Sequence, residues 1–178
     1  MLVLNFILFI IFIIFDFLNK DSNSIKLLTT IVHLIYSFYT IKNIQMIKTF
    51  FYMLIGDYLL LFTHHYTIGI FFFILVQIQY SKLLNYLQYF PFILCILLIV
   101  DPLIALALIY LSYSLLNLFF AYKNKDHLFI SLLLLLICDM IIGAGYLKII
   151  DTSLIKYCWI FYFFSQYRFI MLQKKDFS

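Results

Sequence analysis

The chain has 178 residues, of which 66% are hydrophobic and 11% charged, with a mean hydropathy of +1.10 and a formal charge of +4. A soluble domain carries about a quarter of its residues charged, so this composition excludes one and defines a polytopic membrane protein with a single transmembrane domain over residues 1–178. The lysines lie near helix ends and make no continuous basic surface, which argues against nucleic acid as a partner.

A spanning helix takes about 20 predominantly apolar residues. Apolar runs between polar breaks predict eight of them: 2–18, 25–41, 47–63, 66–84, 87–100, 103–122, 128–147 and 152–172. The expected fold is therefore all-α, a bundle of about eight transmembrane helices with short loops. The first run has no basic stretch ahead of it and no small-residue cleavage site before Lys20, so it reads as a span rather than a cleaved signal. Asp16 near its end is expected to reach interfacial water. The second run begins at Lys26, which could pair with a lipid phosphate or snorkel to the interface, and it contains His33.

Gly56 and Asp57 lie in the middle of the third run, and His64-His65 follow it. Without Cys or carboxylate partners at ligand spacing, these histidines read as an exposed turn, and no metal or cofactor is expected. The fourth run starts near Gly69 and carries Gln77 and Tyr80 at i and i+3. The fifth is short, contains Pro91 and ends at Asp101-Pro102, a step that favours extended or turn geometry; Asp101 is expected at interfacial water. In the sixth, Tyr113 and Asn117 stand at i and i+4, on one face. The seventh contains the unbroken apolar stretch Leu132 to Ile137, which excludes the alternating pattern of a membrane barrel. It then carries Cys138, Asp139, Gly143 and Gly145. The eighth carries Tyr162 and Gln166. Glycines let helices approach closely, so Gly56 and Gly143 predict tight packing or open volume beside each acid. Cys95, Cys138 and Cys158 are odd in number with no C-x-x-C spacing, and read as small packing residues.

Eight spans put both termini on one side. Lys42, Lys48, Lys82, Lys123, Lys125, Arg168, Lys174 and Lys175 then share that side, against Lys20, Lys26, Lys148 and Lys156 on the other. The positive-inside rule makes the terminal side cytoplasmic. Asp57 and Asp139 fall ten and eleven residues into helices running the same way, from Ile47 and Leu128. At a rise of 1.5 Å per residue both are about 15 to 17 Å deep, near the middle of a core about 30 Å thick. A carboxyl at that depth costs roughly 2.5 to 3.5 kcal/mol on insertion scales, so each needs polar partners inside protein. Gln77, Gln166, Tyr80, Tyr162, Tyr113 and Asn117 supply them and predict a ring of polar groups at one level.

Ser24-Ile25-Lys26-Leu27-Leu28-Thr29-Thr30, Leu54-Ile55-Gly56-Asp57 with Gly69, Gln77-Ile78-Gln79-Tyr80, Cys138-Asp139 and Tyr162-Phe163-Phe164-Ser165-Gln166 follow one another in an order and spacing that resembles the YhhN, or lysoplasmalogenase, family of eight-helix membrane proteins. Leu27 stands where that family usually has proline, and Cys138 replaces a serine. The resemblance implies a membrane hydrolase of ether lipid metabolism, cleaving the vinyl ether of a lysoplasmalogen to a fatty aldehyde and a glycerophospho-headgroup. Lysophospholipid is then the substrate and membrane lipids the partners. An AT-rich residue usage points to a bacterial cell membrane.

Vinyl ethers resist bases and break when a proton is delivered to the β carbon, giving an oxocarbenium ion that water captures. Such chemistry needs a general acid and an anion or dipole facing the developing cation. Asp57 and Asp139 can divide these roles, with Gln77, Gln166, Tyr80 and Tyr162 holding water and the ether oxygen. Residues alone leave two other readings: a proton-coupled transporter with Asp57 and Asp139 as its relay, and a lipid-binding protein in which they only tie helices together.

Overall fold

The computed structural model describes residues 2–41, 43–63, 65–86, 89, 91–93, 99 and 101–175. Among them are seven α-helices: α1 (Leu2–Phe17), α2 (Asn23–Tyr36), α3 (Ile44–Tyr58), α4 (Tyr66–Leu83), α5 (Pro102–Lys123), α6 (Phe129–Tyr146) and α7 (Cys158–Lys175). α2 and α3 each run on into a wider π-helical turn, Ser37–Ile41 and Leu59–Thr63. The expected helices at 2–18, 25–41, 47–63, 66–84, 103–122 and 128–147 correspond to α1 through α6 within a few residues. The expected helix at 87–100 lies largely outside the described residues. The one expected at 152–172 begins later, because Thr152–Tyr157 form a 3-10 helix before α7.

Three helices are long and apolar enough to cross a membrane by length and composition: Ile44–Thr63, Tyr66–Leu83 and Pro102–Lys123. Val3–Phe17 and Phe129–Gly145 are apolar but shorter. By this measure the described residues support three spans rather than the eight expected. The run at 152–172 opens with a 3-10 turn, and α7 carries Gln166 and Arg168 along its length.

Helices α2 to α7 close into a ring in which each packs on the next and α7 returns to α2, with α1 laid along α2. Neighbours in the ring are mostly antiparallel. Thr30 faces Asp57 while His33 lies against Phe50, and Tyr110 faces Asp139 while Tyr122 lies against Phe129. Two pairs are the exceptions: α7 and α2, where Lys26 lies over Trp159 and His33 meets Gln166, and α4 and α5. Gln77 reaches Tyr110 and Asn117, and Ser81 reaches Asn117, so positions rise together along both helices and the two run parallel. Asp101 accepts from Leu103 N at 2.9 Å and Ile104 N at 3.1 Å, with Pro102 at the first helical position. It is therefore the N-cap of α5.

In lipid there is no hydrophobic drive between apolar helices, so close packing and internal hydrogen bonds must hold the ring. Both appear where sequence spacing allows. Asn5, Phe9, Phe12 and Asp16 lie at i, i+4, i+7 and i+11 on one face of α1. Asn5 meets His33, Phe9 stacks on Phe163 at a 4.2 Å centroid distance, Phe12 is buried, and Asp16 meets Lys26. The α3–α4 seam is built on two glycines. A Cβ on Gly56 would come 2.7 Å from the Phe73 ring, and one on Gly69 would come 2.7 Å from Leu60. Gly143, by contrast, meets nothing within 4 Å. Gly56→Val is accordingly expected to cost about 1–3 kcal/mol by overpacking, read as a lower unfolding temperature in detergent, while Gly143→Ala leaves that temperature unchanged.

Candidate functional site

Asp57, near the end of α3, is 2% exposed. Its Oδ2 accepts from the Thr30 hydroxyl at 2.7 Å, and the Tyr162 hydroxyl sits 2.9 and 3.0 Å from its two oxygens. Three helices, α2, α3 and α7, are thus tied at one carboxyl. Asp139 on α6 is half-buried, and its Oδ2 accepts from the Tyr110 hydroxyl at 2.5 Å. Behind Tyr110 the bonds continue in one direction. Asn117 Nδ2 donates to Gln77 Oε1 at 2.9 Å, Gln77 Nε2 donates to the Tyr110 oxygen at 3.3 Å, and Tyr110 donates to Asp139. Ser81 completes the set with a 2.7 Å bond to Asn117 Oδ1. Every donor in this chain points toward the carboxyl, an arrangement in which successive bonds polarise one another.

The two sets meet across Phe73. Its ring centroid lies 6.3 Å from that of Tyr110 and 6.4 Å from that of Tyr162. Phe73 takes this place because Gly56 has no side chain to exclude it. The thiol of Cys138, next to Asp139 in the chain, is within electrostatic reach of both acids. The two carboxyl sets therefore both border the Phe73 ring, an apolar group within the ring of polar residues that the sequence predicts.

The other predicted residues divide. Gln77 and Asn117 belong to the Asp139 set and Tyr162 to the Asp57 set. Gln166 instead accepts from His33 at 2.7 Å and faces the Met53 sulfur at 3.8 Å. His33 also bonds Asn5 through its other ring nitrogen. An amide oxygen at Nδ1 and an amide nitrogen at Nε2 place the ring proton on Nδ1. Tyr80 is fully buried against Phe169, at a 5.0 Å centroid distance, and its hydroxyl has no hydrogen-bond partner among the described residues. Tyr113 packs in a cluster with Ile74 and Ile109 rather than beside either acid.

Lys26 corrects an expectation. Its Nζ lies 2.9 Å from Asp16 Oδ2 and 3.0 Å from Oδ1, over the rings of Phe12 and Trp159. The Asp16 carboxylate, expected at the interface, also takes the Ser22 hydroxyl. With side chains 6% and 12% exposed, this pair is inward and mutually satisfied, so Lys26 is not the free phosphate ligand its position suggested.

Thr30, Tyr110, Ser81, Asn5 and His33 are the partners that sequence reasoning missed. Tyr110 stands two helical turns before Asn117, at i and i+7, and that spacing alone marks it as sharing a face with the predicted amide. No protein-family model, curated protein or solved structure matches this chain.

Proposed function

We propose that the protein is a membrane hydrolase that cleaves the vinyl ether of lysoplasmalogen-type lysophospholipids, with Asp139 as proton donor and Asp57 as the fixed anion. The observation that carries this reading is the unequal satisfaction of two carboxyls whose sets both border the Phe73 ring. Asp57 has both oxygens held by hydroxyl donors, an environment suited to a permanent carboxylate opposite a developing oxocarbenium ion. Asp139 has one donor among the described residues, leaving Oδ1 for a proton and for the β carbon of the alkenyl chain. Tyr80, whose buried hydroxyl lacks a partner, is suited to hold the attacking water or the ether oxygen. Water then adds to the oxocarbenium carbon and gives up a proton that restores Asp139, and collapse of the hemiacetal, its hydroxyl losing a proton as the departing glycerol oxygen gains one, releases the aldehyde.

The eight-crossing topology with both termini in the cytoplasm is part of the same reading, as is a bacterial cell membrane. It is supported by the parallel course of α4 and α5, which have the same direction in the eight-helix order.

Incubating purified protein with a 1-alkenyl lysophospholipid and with its saturated 1-alkyl analogue tests the proposal. Aldehyde is expected from the alkenyl lipid alone. A transporter or a lipid-binding protein releases none from either, and that result would end the enzymatic reading.

A further inference from the structure

A second polar feature lies away from both carboxyls, at the turn between α5 and α6. A cavity of about 270 Å³ there is lined by Ala121, Tyr122, Lys125, Asp126, His127, Phe129, Ile130 and Arg168. None of these residues belongs to either carboxyl set. Arg168 is the chain's single arginine, and its Nε is buried with no hydrogen-bond partner among the described residues. A guanidinium whose donor is shielded from solvent and left unpaired is unfavourable unless an acceptor arrives from outside. Asp126 lines the same cavity, but its Oδ1 accepts from the Leu128 N–H at 2.7 Å and it forms no ion pair with Arg168 among the described residues.

The turn presents further charge to the same space. Helix α5 ends with Asn124 N bonded to Phe120 O and Asp126 N bonded to Ala121 O, and Lys125 takes the left-handed conformation at φ 51°. Glycine is usual at this position. The exposed Lys125 and His127 thus bracket the cavity mouth, while Ala121, Phe129 and Ile130 give it an apolar wall. The planar guanidinium fork matches the paired oxygens of a phosphate, and an apolar wall beside cationic side chains at the ends of membrane helices suits an acyl chain joined to a phosphate.

We propose that this cavity is a phosphate-binding site, with Arg168 as the principal ligand and Lys125 as the second, occupied by the phosphate of an anionic lipid or by a free phosphate ion. The proposal does not depend on the hydrolase reading. Detergent-purified, delipidated protein would be titrated with phosphatidic acid, with the diacylglycerol of the same chains, and with inorganic phosphate, following the unfolding temperature. Phosphatidic acid is expected to raise it and diacylglycerol not. Arg168→Gln should weaken the apparent affinity about tenfold or more, and Lys125→Gln several-fold. A response to phosphatidic acid alone identifies the lipid headgroup; a response to inorganic phosphate as well identifies a general oxyanion site. Lys125→Gln, at an exposed position, and Arg168→Lys keep the test valid if Arg168→Gln does not fold. Equal shifts by diacylglycerol and phosphatidic acid, no shift by any ligand, or wild-type affinity in the substituted proteins would overturn the proposal.

Discussion

Asp139→Asn is expected to lower aldehyde release from an alkenyl lysophospholipid by about 10²- to 10⁴-fold, the usual worth of a positioned general acid, with little change in unfolding temperature. The amide keeps the size of the side chain and can still accept from Tyr110 through its oxygen, so the loss isolates the proton. Asp57→Asn should also slow turnover, but by removing a charge rather than a proton, and it disturbs three helices at once because Thr30 and Tyr162 both converge on that carboxyl. Tyr110→Phe should fall between the wild type and Asp139→Asn, since it removes the one donor that orients Asp139 among the described residues. Wild-type turnover in Asp139→Asn would remove that residue from the chemistry and leave its hydrogen bond as a tie between α5 and α6.

The largest loss of stability should come from the Lys26–Asp16 pair. Removing one partner of a buried ion pair leaves an uncompensated charge and costs about 3–5 kcal/mol, whereas replacing both with apolar residues is often close to neutral. Lys26→Met is expected near that cost, because Asp16 is inward and only Ser22 remains to it. The double change Asp16→Leu with Lys26→Met should recover most of the loss. Unfolding of the two single variants and the double variant in detergent measures the coupling. Additive losses would mean that the two charges act independently and that the pair does not fasten α1 to α2.

Much of the bundle is legible in the amino-acid order because apolar runs and polar breaks carry the helix count directly; six expected helices fall on α1 to α6. Directions follow as well, since short connections make consecutive helices antiparallel, and Asp57 and Asp139 do sit on helices of like direction. Breaks inside a run are harder to see. Nothing in Leu59–Thr63 or Thr152–Tyr157 announces a π or 3-10 turn, because both stretches are apolar enough to continue a helix and the change comes from packing. The site was legible as a set of residue types and not as a set of pairs. Asp57, Tyr162, Gln77, Asn117 and Asp139 stand out as polar groups in apolar helices. Which phenol meets which acid depends on helix rotation, and so Tyr110 took the place expected of Tyr113. Lys26 misled for a similar reason: its position at a helix start suits the interface, and only the i+11 spacing from Asn5 to Asp16 along α1 brings a carboxylate to it.

Protonation at carbon leaves a mark that no other cleavage of an ether lipid shares, and it can be read by running the alkenyl lysophospholipid reaction with purified protein in heavy water. The expected product is a fatty aldehyde bearing one deuterium on carbon 2, next to the carbonyl, formed in wild type and lost in Asp139→Asn. Aldehyde without deuterium at that carbon, or no aldehyde at all, would contradict proton delivery by Asp139.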